Sequence, residues 1–363
     1  MNITARTHTA VPGEEPVGPT SGLLIVDKPQ GVTSHDVVAA ARGALHTKKV
    51  GHAGTLDPMA TGVLVIGFGN ATRLLNYIVD HDKTYEATIR LGAATTTDDA
   101  DGELLELGDE ATPITALSRE LIEHTIADHL TGHIQQVPNA FSAIKINGQR
   151  AYDLAREGKD VELTARPVTI HEFTVLDMRV GYTDRQRTNG PLIDCAQAQS
   201  DLRPVIDLDV RVSCSAGTYI RALGRDLGAL LGSGAYLTRL RRTRVGRFDV
   251  TAANVVTAHA ESRTFTNRAG ETVTRNRAVL DLTGDELRAH ALTMVQSVRE
   301  AMPTIAISAE DAANLRFGRR IAYDVREATA AYVPGQDECD GDVAAIVDRA
   351  KRGEAKPIVV FPA

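Results

Sequence analysis

Tryptophan is absent from the 363 residues, and no apolar run approaches the roughly 20 residues that a membrane-spanning helix needs. The N-terminus has no basic stretch followed by an apolar one, so no secretory signal is indicated. Only three cysteines occur, Cys195, Cys214 and Cys339, widely separated and without a Cys-x-x-Cys pair. This excludes a zinc knuckle and a disulfide framework, and it fits a reducing compartment. A glycine-rich nucleotide loop is missing too. Gly67-Phe68-Gly69 starts like one, but position 72 is Thr72, and no acidic residue ends a following strand at the required place. Positive charge is not in excess: 40 Lys and Arg against 47 Asp and Glu leave a formal net charge of −7. That weighs only weakly against nucleic-acid binding, which needs a local basic patch and not a basic total. The expectation is a soluble cytoplasmic protein, with no membrane partner and no metal or organic cofactor.

The length is enough for two domains and a sizeable core. Within it, Lys49-Val50-Gly51-His52-Ala53-Gly54-Thr55-Leu56-Asp57-Pro58-Met59-Ala60-Thr61-Gly62-Val63-Leu64 holds a single acid, Asp57, in a loop of small and turn-forming residues. Pro58 fixes its own φ and pushes Asp57 away from the helical region. Asp before Pro is a common turn opener, so a plain surface turn is the simplest reading. The apolar flanks Leu56 and Val63-Leu64-Val65-Ile66 argue instead for a loop seated against a core. Lys48, Lys49 and His52 give it a basic, ring-bearing shoulder.

The run from Gly51 to Leu64 resembles the signature of the TruB family, bacterial tRNA pseudouridine synthases that act on the T-loop. The resemblance implies that Asp57 is the nucleophile. Other segments agree with it. Asp27-Lys28-Pro29 with Gly31 and Thr33-Ser34 resembles the family's opening, in which Lys28 is a substrate-site residue; Lys28 alone would read as a surface charge. Lys83-Thr84-Tyr85 begins an alternating strand and resembles a second fingerprint, whose Tyr packs on the target base beside the nucleophile. Gln136-Val137-Pro138-Asn139-Ala140-Phe141-Ser142-Ala143-Ile144-Lys145 is similar to a third, with Asn139 in place of a second Pro and Phe141 in place of Tyr. Losing a Pro loosens a turn's backbone, which bears on where Lys145 sits. Gly217-Thr218-Tyr219-Ile220-Arg221 matches a strand–turn–helix in which the Arg pairs with the catalytic Asp and the Tyr lines the pocket. A guanidinium there favours the charged carboxylate.

Leu237 to Arg247 contains five arginines and no acid, an electropositive patch hidden by the net charge. In a strand, Leu240 points opposite to Arg239 and Arg241. The resemblance puts Leu240 against the target base, and arginines such as Arg241 and Arg242 would then face phosphates. Thr95 to Glu110 carries seven acids and reads as a solvated loop that repels phosphates. His129 and His133, four apart like a pair of metal ligands on a helix, are separated by Gly132 and have no evident third partner, so they are taken as structural.

The domain reading is a disordered tail over 1–20 and a catalytic domain over 21–256 with an insertion near 184–204. An insertion and a connecting helix over 257–303 follow, and then a small module over 304–363. The helix is expected from Glu286 to Ala301. The fold class is α+β: a pseudouridine synthase fold with a central mixed or antiparallel sheet flanked by helices, and a β-rich C-terminal module resembling a PUA-like RNA-binding domain. The expected activity is isomerisation of uridine 55 in the tRNA T-loop after base flipping, with His52 filling the vacated stack. No protein partner is required and the chain acts as a monomer. A tRNA-folding helper without need of turnover, and a guide-RNA-dependent relative, share these motifs and remain alternatives.

Overall fold

The first strand, β1 (Gly22–Lys28), is almost wholly buried, as a continuous apolar run demands when both faces of a sheet are covered. It belongs to a computed structural model that describes residues 18–108, 110–139, 145–146, 149–150, 163–194, 201–267, 269–336 and 340–363. The expected tail, but for its last three residues, lies outside the described residues, as does the side chain of Lys145.

The main strands are β2 (Val50–Ala53), β3 (Thr61–Phe68), β4 (Lys83–Leu91), β5 (Gly132–Gln136), β6 (Arg166–Asp184), β7 (Leu202–Cys214), β8 (Ala235–Val245), β9 (Val255–Thr266) and β10 (Thr272–Leu280). They form one sheet in the order β10-β9-β1-β3-β8-β4-β7-β6-β5, with β2 also paired to β3. The pairs β1/β9 and β3/β8 are parallel, and the other pairs along that order are antiparallel. The sheet is therefore mixed, and the fold is α+β as expected.

Strand alternation sorts the core into two layers. Leu24, Val26, Leu64, Ile66, Ala87 and Ile89 turn to one face, which is covered by α1 (Ser34–Ala44), α2 (Arg119–His129) and α3 (Ile220–Leu231). Leu23, Ile25, Val63 and Val65 turn to the other. That face meets α5 (Met294–Ala301) and a second sheet made of β11 (Thr304–Ala306), β12 (Thr329–Pro334), β13 (Gly341–Lys351) and β14 (Glu354–Val360). A helix α6 (Ala309–Arg316) packs on that sheet. Arg299 bonds the Tyr332 hydroxyl at 2.9 Å and lies over its ring, holding α5 to β12.

Three expectations need correction. The region after 256 is not an insertion outside the fold. β9 pairs with β1 from Ile25↔Val255 to Asp27↔Thr257, so the boundary at 256 cuts a sheet strand. Its polar, exposed residues lack the alternation that marks a half-buried strand. The helix expected over 286–301 is two, α4 (Gly284–Ala289) and α5, because Leu292 leaves the helical path to exchange backbone hydrogen bonds with Leu23. Thr293 then restarts the helix with a capping box to Gln296. Lys28 is not the surface charge it would read as alone. It is wholly buried, and its Nζ donates to the carbonyls of Pro29, Val32 and Pro58.

Those contacts place the Asp57 loop. Gly31 N donates to Pro58 O at 2.8 Å. Ser34 Oγ accepts from Leu56 N at 2.8 Å and donates to Leu56 O at 3.1 Å, while Thr33 caps α1 beside it. A loop outside the sheet ladder thus has its backbone groups satisfied by the β1–α1 junction.

Removing the Ser34 hydroxyl leaves both buried Leu56 groups unpaired. Ser34→Ala should cost about 1–3 kcal/mol in urea unfolding, and an unchanged midpoint and slope would remove the clamp. Burial lowers the Lys28 pKa from 10.5 to about 8, with Asp57 opposing the shift. Between those values the folded chain binds fewer protons than the unfolded one, so the Lys28 contribution to stability rises with pH. The stability advantage of the native chain over Lys28→Met should therefore be larger at pH 9.5 than at pH 7.5. A gap that narrows with pH would contradict the assignment.

Candidate active site

Asp57 lies in the turn between β2 and β3, with Leu56, Met59 and Ala60 buried on either side as anchors. Gly62 opens β3 at φ +102°, and a Cβ there would sit 2.1 Å from Arg242 O across the parallel β3/β8 contact. Only glycine permits both the angle and the approach. The turn therefore stays close to β8.

Arg221 stands in the first turn of α3, just after the N-cap Tyr219. The Gln136 side chain holds Tyr219 at both backbone groups: Oε1 accepts from Tyr219 N at 2.8 Å, and Nε2 donates to Tyr219 O at 3.0 Å. So fixed, Arg221 Nε reaches Asp57 Oδ2 at 3.0 Å. Its side chain is 5 % exposed, whereas that of Asp57 is 36 % exposed. The expected pair is formed, and its carboxylate is open to a ligand from one side. Arg221 Nη1 turns the other way, to Asp99 Oδ2 at 3.2 Å and Thr97 O at 2.9 Å.

The acidic loop thus departs from expectation. Asp98 and Asp99 are buried, and burial raises the pKa of both. Asp98 Oδ2 accepts from Asn139 Nδ2 at 2.6 Å and pairs with Arg225 Nη1 at 3.1 Å, one helical turn beyond Arg221. Two adjacent acids therefore meet two arginines on one face of α3. Asp99 was missed because the loop was read by its summed charge. The signal lay in Thr95 and Thr97, whose hydroxyls bind Asp99 O and Oδ1 at 2.7 and 2.5 Å.

Asp57, Arg221, Tyr85, Tyr219, Leu240, Lys83 and Arg242 line one cleft of about 280 Å³. Tyr85 is buried at the start of β4, and burial raises its pKa, so the phenol keeps its proton at neutral pH. Leu240 and Arg242 point inward while Arg239 is exposed, as the alternation required. Three of the five arginines, however, are engaged within the protein, while Arg239 and Arg247 stay exposed. Arg242 is buried and donates to Val63 O at 2.8 Å and Gly54 O at 3.0 Å. Arg241 grips Asp27 through two bonds of 2.9 and 2.7 Å, and Arg244 binds Thr84 Oγ1 and Gly246 O. The run was read for its charge, and its carbonyl and carboxylate partners lie far away in sequence.

His52, on β2, is partly buried; burial first, and Arg242 second, lower its pKa, leaving a neutral ring at pH 7. Lys83 Nζ binds Val79 O and His81 O, and its pKa falls to about 8 through burial. His133 bonds Thr169 Oγ1, and among the described residues no cluster of His, Cys, Asp and Glu could hold a metal ion.

The family model for the N-terminal domain of TruB family pseudouridylate synthases matches residues 42–220, and that for the tRNA pseudouridylate synthase B C-terminal domain matches residues 221–280. A protein of Bifidobacterium longum (strain DJO10A) named tRNA pseudouridine synthase B is 58 % identical over 94 % of this chain and 98 % of its own. One of the same name from Arthrobacter sp. (strain FB24) is 45 % identical over 94 % of this chain and 96 % of its own. Among solved structures, a Cbf5-Nop10-Gar1 complex contains a chain of the same fold at TM-score 0.58 and 22 % identity, covering 95 % of this chain and 84 % of that one. The chain belongs to the TruB family of pseudouridylate synthases.

Proposed function

We propose that the chain converts uridine 55 in the T-loop of tRNA to pseudouridine, acting as a monomer in the cytoplasm and without cofactor. The observation that carries the reading is the half-open Asp57 carboxylate, paired at 3.0 Å with an Arg221 that Asp99 holds from behind, at the wall of a cleft shared with Tyr85. Relatives named for this activity, matching nearly the whole chain, support it.

The reaction breaks the bond from ribose C1′ to N1 of uracil, turns the base and joins C1′ to C5. N1 gains a proton and C5 loses one, so no outside group or electron is needed. Asp57 is the nucleophile, and the bond it forms to the nucleotide breaks again before the product leaves, so the carboxylate is regenerated. Arg221, a cation 3.0 Å away on its second side, keeps it aimed. Tyr85 stacks on the uracil, and Leu240 and Tyr219 close the cleft around the loosened base. The retained phenolic proton of Tyr85 suits it to a late proton transfer. A stacked T-loop uridine must leave the helix first, at a cost of a few kcal/mol. The neutral ring of His52, at the edge of the same loop, is suited to fill the space left behind. The module over 304–363 is an RNA-binding unit of the PUA-like kind.

Asp57→Ala should abolish pseudouridine formation on a bare T-arm transcript, read by sequencing chemistry for the modified base, while tRNA affinity stays within a few fold. Loss of binding together with product would make Asp57 a structural residue. The same transcript, with no added protein or guide, separates a stand-alone enzyme from a guide-dependent one. No product with the native chain would overturn the proposal.

A further inference from the structure

The hairpin of β9 and β10 is longer than the sheet requires. Only Val255–Thr257 of β9 pair with β1, and from Ala258 to Thr266 the strand pairs with β10 alone. Because β9 runs parallel to β1, this arm leaves the sheet at the Lys28 end, where Lys28 meets Pro58 beside Asp57. Asn276 Nδ2 donates to Gly31 O at 3.1 Å, and Gly31 N donates to Pro58 O. The arm is thus joined by two hydrogen bonds in series to the loop that carries the candidate nucleophile.

Alternation divides the arm into two faces. Asn276, with the buried Ala278 and Leu280, turns toward α1. The other face sets Glu261 opposite Arg277, Arg263 opposite Arg275, and Phe265 opposite Val273. Glu261 and Arg277 form an ion pair. Arg263 and Arg275 are exposed, and among the described residues neither has a carboxylate within ion-pair distance, the Glu261 charge reaching Arg263 only from further off. Like charges directly opposite in a strand pair, with Cβ atoms about 5 Å apart, destabilise it. Phe265, 42 % exposed beside them, adds no burial in compensation. Folding stability does not account for this face. A polyanion lying across it would, since phosphates turn the repulsion into two charge-assisted contacts.

We propose that the arm grips the phosphates of the double-helical stem of the same RNA whose uridine enters the Asp57 cleft, with Arg263 and Arg275 as the paired contacts. This rests on the reading of the chain as an RNA-modifying enzyme. It also supplies exposed cations where Arg241, Arg242 and Arg244 are already engaged within the protein.

The test measures binding of a full tRNA transcript by the full chain across a potassium chloride series, with pseudouridine formation followed in parallel. Arg263→Thr with Arg275→Thr keeps strand-forming residues and should weaken binding roughly 5- to 20-fold near 0.1 M salt. The slope of log K against log salt should become shallower by about 1 to 2. Arg263→Lys with Arg275→Lys should retain most of the slope. Glu261→Gln frees Arg277 and should shift affinity and slope the other way, which covers the case of a double variant that does not fold. Affinity and slope equal to the native chain in both the threonine and glutamine variants would overturn the arm's role and point to a protein partner instead. If the native chain makes no pseudouridine yet the slopes differ as stated, the isomerase reading fails and the arm stands. Conversion without any slope difference has the opposite meaning, and a native chain that neither binds nor converts the transcript overturns both.

Discussion

Everything in the cleft turns on one guanidinium held between two carboxylates. Arg221 has Asp57 at 3.0 Å on one side and Asp99 at 3.2 Å on the other, and its own side chain is almost without solvent. A buried arginine facing a single exposed acid would be free to swing with it. Asp99, bound by the hydroxyl of Thr97, removes that freedom. The result is asymmetric: one carboxylate is consumed inside the protein and the other keeps an open side. Preorganisation of this kind is useful to a charged reacting group, because little reorientation is left to occur during the reaction.

The sheet explains how groups from distant parts of the chain converge. β1, β3, β8 and β4 are neighbours, so the loop before β3, the inward side chains of β8 and the first residues of β4 share one end of the molecule. Tyr85 pairs in register with Arg242, and Gly62 pairs with it from the other side. Arg242 therefore sits between the Asp57 turn and the aromatic ring, joined to the turn through Gly54 O. An acid in the loop over 95–102 completes the set from outside these four strands.

Legibility in the sequence followed locality. The Asp57 turn, the Tyr85 strand and the start of α3 are contiguous stretches whose glycines, proline and alternation act within a few residues, and they were readable. The inward direction of Leu240 followed from period two alone. What failed was anything decided by partners far along the chain. Asp98 and Asp99 are buried because arginines on α3 meet them, and of this their own segment shows only the neighbouring hydroxyls of Thr95 and Thr97. β9 and β10 read as an insertion because the outer part of the ribbon is exposed and carries no hydrophobic period, only Ala278 and Leu280 near its base being buried. Lys28 looked like a surface charge because a lysine's ordinary place is in water.

Lys28, Lys83 and Arg242 share one physical task. Each buries a cation and donates to backbone carbonyls, most of them in irregular segments: Pro29, Val32 and Pro58, then Val79 and His81, then Gly54 and, at the start of β3, Val63. An apolar side chain would take this donor from each of those oxygens, Pro58 O keeping the Gly31 N–H, while a solvated loop would leave the cleft wet. Burial pulls both lysine pKa values down to about 8, which measures how unwillingly the charge is held. The same positive field lies close under Asp57. The desolvation cost of these cations is thus tied to two ends at once, a fixed turn without regular structure and positive charge near the carboxylate at the wall of the cleft. A scaffold of regular strands alone would provide neither, because a ladder satisfies its own carbonyls and brings no net charge to the site.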